Sequence, residues 1–323
     1  MMLLTPQPGQ RVAVVTGGWS RERDRSLATA KAVMRVLDVL GIPATSFDLA
    51  DGLAALPGIG GFDAAFLAVS GRGAEDGQLQ GVLETLGIPY TGSGVLASAL
   101  GTHKLAAKAI LRATGVLSPA DCTVSTTATA REEAAEILDS FGLPLIVKEI
   151  SAGGSGLLLA RDEDELVHAI EASDGAPLMV EEYIPGTPAV VGVLDAVDGP
   201  AALSPLEVET PTGRYTHESK QLPGQITYHC PPRWSKTTRE EVQEAAKVAH
   251  TALGCRGYSR HDFVIDRYGT AFWLGVSTLP DLTQRGDIAR MAAADGITYP
   301  DLITHILASA SIDRPTTTTR SAA

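Results

Sequence analysis

Alternation between short apolar runs and helix-spaced segments constrains this chain more than any other feature. Arg11–Thr16 (RVAVVT) is apolar without alternation and ends in Gly17-Gly18, the pattern of a strand buried on both faces that runs into a turn. Glu22–Leu40 then places Leu27, Ala30, Val33, Leu37 and Leu40 at helical spacing, and Gly41 with Pro43 closes it. Ala44–Leu49 and Asp63–Val69 read as further strands, and Gln78–Leu86 as a second helix. Strand and helix alternating at this interval predict an α/β unit around a mostly parallel sheet.

The character changes after the helix predicted over Lys104–Ala113. Cys122–Val124, Leu145–Ile150 and Met179–Ile184 read as strands, and Arg131–Phe141 and Glu163–Ala172 as helices. Residues 188–210 read as strands broken by Asp-Gly-Pro. Residues 211–233 are polar, rich in Gly and Pro and without period, which predicts a long functional or mobile loop. Arg239–Leu253 is an amphipathic helix, Tyr258–Asp266 and Thr270–Val276 form a hairpin about Arg267-Tyr268-Gly269, and helices near 286–294 and 299–309 close the fold. The Thr-rich stretch Ser311–Ala323 reads as disordered. A chain of 323 residues suffices for two or three packed units.

A net charge of −12 argues against nucleic acid or an anionic membrane as partner, because both need basic patches. It leaves a small anion possible, since a few local cations hold one. Cys122, Cys230 and Cys255 form no CxxC pair or Cys/His cluster and read as idle thiols in a reducing cytoplasm. Met1–Gln10 has no basic signal-peptide start, and no run approaches the roughly 20 apolar residues of a membrane span.

Seven segments carry candidate chemistry. The turn Gly17-Gly18-Trp19-Ser20-Arg21-Glu22-Arg23 sits between strand and helix, where backbone N–H groups favour an anion; Glu22 could equally just complement the helix dipole. Lys148 ends the apolar strand Leu145–Lys148, and a buried ammonium there asks for an anion to meet it. Lys104 opens a helix and says little alone. Ala152-Gly153-Gly154-Ser155-Gly156 can fold over a triphosphate or make a plain hairpin turn. Val180–Gly186, containing Glu181 and Ile184, is a strand-to-turn hinge, and the 211–233 loop carries Lys220. On strand Ser259–Phe263, Arg260 and Asp262 share a face, where they can meet one ligand or form a salt bridge with each other.

Ser70-Gly71-Arg72-Gly73-Ala74-Glu75-Asp76-Gly77, followed by Gly87-Ile88-Pro89-Tyr90-Thr91-Gly92-Ser93-Gly94 and Val95–Leu100, resembles the end of the N-terminal domain of D-alanine–D-alanine ligases, members of the ATP-grasp superfamily. The turn at 17–27 resembles that family's Gly-Gly-x-Ser-x-Glu-Arg-x-x-Ser-Leu signature. The resemblance spans roughly 11–310 and implies an α/β, three-domain ATP-grasp fold: an N-terminal parallel α/β substrate domain over 1–101, a central α+β domain over 102–187, a C-terminal α+β catalytic domain over 188–310, and a disordered tail over 311–323. It implies ATP and Mg²⁺ as cofactors. Lys104, Lys148, Ser155 and Lys220 match phosphate-side positions, Glu181 and Ile184 the adenine hinge, and Leu274 a further ATP-binding position. Glu22 matches the glutamate that holds the first substrate's amino group, Arg260 the arginine that stabilises the oxyanion, and Asp262 a Mg²⁺ ligand. A small amino-acid or carboxylate substrate, a homodimer and a cytoplasmic location come with the same resemblance.

Departures cluster where the chemistry lies. The family's Leu-Glu-x-Asn-Thr-x-Pro-Gly reads Leu274-Gly275-Val276-Ser277-Thr278-Leu279-Pro280-Asp281 here, so the Mg²⁺ glutamate and asparagine are missing and a carboxylate replaces an oxyanion-hole glycine. Asp281 either repels the developing charge or becomes a metal ligand. Pro188 stands for the ribose glutamate, His103 for an aspartate, Ala152 and Gly154 for a loop glutamate and serine, Gln221 for a tyrosine, and Gly286 for the second substrate's serine. Ser70 and Ala74 replace a His and a Gly. Two readings result: an ATP-dependent carboxylate–amine ligase with diverged substrates, working through an acyl phosphate, or a non-catalytic relative that binds nucleotide or amino acid and partners an active ligase.

Overall fold

The computed structural model describes residues 2–7, 9–125, 128–151, 158–173, 175–211, 213–215 and 224–313, with the backbone alone over 53–57. Strand β1 (Val12–Thr16) lies between β2 (Ala44–Asp48) and β3 (Ala64–Leu67), all parallel. Every residue of β1 is buried, which is why its sequence shows no alternation. Helix α1 (Arg23–Val39) covers this sheet with Ala30, Val33, Val36 and Leu37. Helix α2 (Gln78–Leu86) falls where its sequence pattern puts it. Helix α3 (Val95–Thr102) escapes a pattern reading, because its small residues give no apolar stripe.

Helix α4 (Lys104–Arg112) starts directly after α3. His103 caps it: its Nδ1 accepts the Ala106 N–H at 3.2 Å, a job the aspartate expected there would also do. A second, antiparallel sheet has the order β4 (Asp121–Thr123), β7 (Leu178–Glu182), β5 (Leu145–Glu149), β6 (Leu158–Ala160). Helices α5 (Ala130–Ser140) and α6 (Glu163–Glu171) pack on it, and α5 begins in a Thr129/Glu132 capping box.

The third sheet has the order β11 (Thr227–His229), β10 (Leu206–Glu209), β8 (Gly186–Ala196), β12 (Tyr258–Asp266), β13 (Ala271–Ser277), with β9 (Gly199–Ala202) on β8. Helices α7 (Lys236–Ala252), α8 (Asp287–Ala294) and α9 (Tyr299–Ala308) complete the elements used below. Two expectations are corrected. The 211–233 stretch contributes β11, paired to β10 through Val208 and Tyr228. The supposed tail begins ordered, since Ser311 and Tyr90 exchange backbone hydrogen bonds and the Asp313 N–H donates to Glu84. Pro188 is a buried strand residue opposite Val264, just beyond the Ala189–Glu207 pair that ends the β8–β10 register, so its missing N–H breaks no ladder there.

The cores explain how the site is positioned. Side chains of the first sheet share one cluster with Val190, Leu194 and Tyr258 from the third, and with Leu282, Ile288 and Met291 from the loop and helix α8 that follow it. The opposite face of the third sheet packs on α7 around Phe263 and Trp273, and Ala107 and Leu111 of α4 belong to that cluster. The second sheet has its own core. Helix α4 is therefore rooted in the third sheet while, as shown below, its lysines reach the second.

A buried polar chain stiffens β12 from behind. Trp273 Nε1–H can only donate, so His261 Nδ1 accepts at 3.2 Å. His261 Nε2–H then donates to Ser259 Oγ (2.9 Å), and the Ser259 hydroxyl donates to His250 Nδ1 (2.7 Å). His250 Nε2–H ends the chain on Asp195 Oδ1 at 3.2 Å.

Candidate active site

Two charged clusters hold five of the ten candidate residues. The first lies between α4 and the second sheet. Lys148 lies on β5 and Glu181 on β7, on the neighbouring strand. Lys148 is 6% exposed, Glu181 3% and Lys108 0%. Burying such groups is costly unless each is met. Glu181 meets two of them: one carboxylate oxygen bonds Lys148 and the other takes Lys108 Nζ at 2.7 Å. Lys108 also donates to the Pro119 carbonyl (2.9 Å) and to Asp121 Oδ1 (3.2 Å), which Arg112 bonds from the rim. Burial works to raise the Glu181 carboxyl, but the ammonium groups of Lys148 and Lys108 outweigh it and hold it below the usual range. Burial, together with the Lys108 charge, pulls Lys148 down.

Lys104 joins this cluster from the first turn of α4, whose start is tied to the end of β5 by its own N–H on the Ile150 carbonyl (3.3 Å). Burial, then the Lys148 charge, lowers its ammonium to about 8. The half-buried Lys104 ammonium beside the buried Lys148 suits a polyanion such as the triphosphate that the family resemblance implies. The group is cationic below pH 8 and neutral above, so affinity for a triphosphate should fall as pH rises through 8 and nucleotide uptake there should draw in a proton. Measured from pH 6.5 to 9.5, the KM for ATP should climb above 8 in the natural protein and stay flat in Lys104→Arg, which keeps its charge. A flat profile in both would remove Lys104 from the nucleotide site.

The second cluster centres on Arg260. Alternation along β12 puts Arg260 and Asp262 on one face, as the sequence requires, and there they bind each other: Nε to Oδ1 at 3.0 Å and Nη2 to Oδ2 at 2.9 Å. The salt-bridge alternative is thus present in this state. Asp287, in the first turn of α8, approaches Arg260 Nη1 at 3.4 Å and accepts the Tyr215 hydroxyl at 2.9 Å. Burial opposes the Arg260 charge, but Asp262 and Asp287 override it and raise its proton affinity.

Around these lie the N-terminal turns. Gly17 (φ +69°) needs to be glycine, because a Cβ would fall 2.0 Å from Asp48 Oδ1. Asp48 accepts the Gly18 N–H (3.1 Å) and clamps Arg23 through two bonds of 2.8 and 2.6 Å, which locks the turn. Glu22 stands at the N-cap position of α1, one residue before the first turn expected for it, and its carboxylate pairs with Arg25. The 70–77 motif reaches the third sheet through Glu75, which takes the Ser277 hydroxyl (2.8 Å) and the Gly71 N–H (2.7 Å).

Asp281 is engaged within the fold. Its carboxylate accepts the Thr283 N–H (2.8 Å), the Thr283 hydroxyl (3.1 Å) and the Thr29 hydroxyl (3.2 Å). Gly286 answers to it, since a Cβ there would lie 2.8 Å from the Asp281 carbonyl oxygen and 3.2 Å from its Oδ2. The two departures are one local rearrangement. Among the described residues no group of three or more His, Cys, Asp or Glu side chains could hold a metal. Asp262 is taken by Arg260, Gly275 has no side chain, and Ser277 faces Glu75. The residues present do not fit a two-Mg²⁺ cage.

Of the residues singled out in the sequence, the structure brings Lys104, Lys148 and Glu181 together in one cluster and Arg260 and Asp262 in the other. Ile184 and Leu274 are half-buried, with Leu274 alternating with buried Trp273 on β13. Ser155 and Lys220 lie outside the described residues, as do Ala152, Gly154 and Gln221. Lys108, Asp121, Asp287, Tyr215 and Glu75 were missed. Lys108 could have been found, because it stands one helical turn from Lys104 between apolar Ala107 and Leu111.

A family model described as D-ala D-ala ligase C-terminus matches residues 111–308. A D-alanine–D-alanine ligase of Anaeromyxobacter sp. (strain K) is 39% identical over 307 residues, covering 94% of this chain and 98% of its own. One from Desulforudis audaxviator (strain MP104C) is 37% identical over 302 residues, covering 92% and 97%. Among solved structures, a D-alanine–D-alanine ligase from Bacillus anthracis complexed with ATP superposes with TM-score 0.80 at 27% identity, over 93% of this chain and 97% of that one. The VanG D-Ala:D-Ser ligase of Enterococcus faecalis gives TM-score 0.79 at 25% identity, over 93% and 99%.

Proposed function

This chain belongs to the D-alanine–D-alanine ligase family of ATP-grasp, ADP-forming ligases, and from that premise we propose that it joins a carboxylate to an amine whose identities have diverged from two D-alanines. In this reading a carboxylate oxygen attacks the terminal phosphorus of ATP, ADP leaves, the amine attacks the acyl phosphate and inorganic phosphate departs. Lys104 and Lys148, with Lys220 and Ser155, hold phosphate oxygens. The hinge at Glu181 and Ile184 meets the adenine edge, with Leu274 beside the nucleotide. Glu22 pairs with the first substrate's ammonium, and Arg260 faces the oxyanion. Magnesium is assigned no step, and Asp262, if released by Arg260, would be the residue to meet an ion. The divisions 1–101, 102–187 and 188–310, a homodimer and a cytoplasmic location belong to the same reading. No helix among the described residues is long and apolar enough to cross a membrane.

The observation that carries the proposal is the lysine cluster on β5 and α4, where the Lys148 charge reaches Lys104 and a single carboxylate, Glu181, is shared by Lys148 and Lys108. Turnover is tested by ADP release over a panel of D- and L-amino acids with Mg²⁺ or Mn²⁺, with hydroxylamine present to trap any acyl phosphate as a hydroxamate. Release that depends on a carboxylate, together with hydroxamate, is the expected result. A second reading, a non-catalytic relative, is favoured by Arg260 being bound by Asp262 and Asp287 while Gly275 offers no ligand. ATP binding without ADP release across the panel would establish that reading instead.

A further inference from the structure

We infer that Asp287 makes the acceptor half of the site select amines that lack a free neighbouring carboxylate; this rests on the ligase reading and deepens it. An aspartate in the first turn of a helix ordinarily faces water and complements the dipole. Asp287 is instead 8% exposed and turned inward. One carboxylate oxygen lies 3.4 Å from Arg260 Nη1 and the other accepts the Tyr215 hydroxyl at 2.9 Å. Tyr215 is in turn 3.2 Å from the Tyr228 hydroxyl, and the Arg290 guanidinium lies 4.4 Å over the Tyr228 ring. The network fixes where the Asp287 charge points.

Position then dictates selectivity. An amine attacking a carbonyl whose oxygen meets Arg260 comes close to that guanidinium, and hence to Asp287. The single positive charge of Arg260 already faces two carboxylates, Asp262 and Asp287. An arriving ammonium is attracted to such a surface, and an arriving α-carboxylate is repelled. Gly286, next to Asp287, supplies no side chain to offset this, and the packing against Asp281 leaves no room for one. In the step itself the C–N bond forms, the bond from carbon to the phosphate oxygen breaks, phosphate leaves with the electron pair, and the ammonium protons pass to phosphate and solvent. The acceptor class is therefore a primary amine whose carboxylate is absent or masked as an amide.

The test uses the full chain with ATP and a donor acid that gives hydroxamate with hydroxylamine. D-alaninamide and D-alanine are compared as acceptors by product mass. We expect kcat/KM to favour the amide by on the order of tenfold or more. Asp287→Asn should bring the ratio near one by improving D-alanine. Tyr215→Phe, which loses the hydroxyl but keeps the charge, should preserve the preference and so separates charge from packing. Hydroxamate formation with equal use of the two acceptors would overturn the inference and leave the ligase reading intact. A preference unchanged in Asp287→Asn would overturn it as well. Failure to form hydroxamate with any acid would remove the ligase reading, and this inference with it.

Discussion

Glu181→Gln should cost about 3–5 kcal/mol of folding stability in the nucleotide-free protein, and ATP should restore much of it. The side chain barely changes shape, so the effect isolates charge. Glu181 is the carboxylate that Lys148 and Lys108 share, and both ammonium groups are buried. With a neutral amide in its place, Asp121 is left to answer Lys108 and Arg112, and Lys148 loses its carboxylate. Breaking a buried pair on one side is far more harmful than never having built it. Two further readouts follow. Lys148 already has its proton affinity lowered by burial, while the unfolded chain keeps the ordinary lysine value. Between those two pKa values the unfolded state binds more protons, so the variant should gain stability as pH rises toward 10. A triphosphate brings the missing negative charge, so the rise in Tm on adding ATP should exceed that of the natural protein. Thermal melts with and without ATP measure all three. Equal melting of the two proteins in every condition would mean that the cluster does not carry this charge balance.

The sequence was most legible where one physical pattern acts alone. Strand β1 reads as an unbroken apolar run because both its faces are covered, and Arg260 and Asp262 share a face because strand period leaves no choice. Helix α3 was invisible because Ala, Ser and Gly give no stripe. The partners of charged groups were harder to read. Lys148 demanded an anion, but nothing local showed that Glu181, on a neighbouring strand, would supply one, or that Lys108 would hold its second oxygen. Asp281 looked like a threat to an oxyanion or a new metal ligand, and only the packing shows that it caps its own loop against Gly286. Asp287 was overlooked because an aspartate before an apolar helix is the ordinary start of a helix. The resemblance to D-alanine–D-alanine ligases supplied the fold, but the departures could be interpreted only through contacts between residues distant in the chain.

Restoring the acidic strand pair should have the largest gain-of-function effect. Gly275→Glu combined with Ser277→Asn is expected to tighten Mg·ATP binding by on the order of tenfold. The ladder places Gly275 directly opposite Asp262, and a Cβ at 275 would meet nothing within 4 Å, so the new carboxylate enters open space beside an existing one. Replacing Ser277 gives up its 2.8 Å bond to Glu75, but the Gly71 N–H still holds the other oxygen of that carboxylate. Two carboxylates facing across adjacent strands repel, so without metal the double variant should melt below the natural protein. A divalent ion between them reverses the sign, and Mg·ATP should raise its Tm more than ATP with chelator does. Gly275→Gln with Ser277→Asn fills the same space without charge and should gain neither effect. Nucleotide affinity titrated against free Mg²⁺ distinguishes the two variants. If the glutamate variant binds Mg·ATP no better than the glutamine one, β13 does not face the nucleotide, and the reading of Asp262 as its partner falls with it.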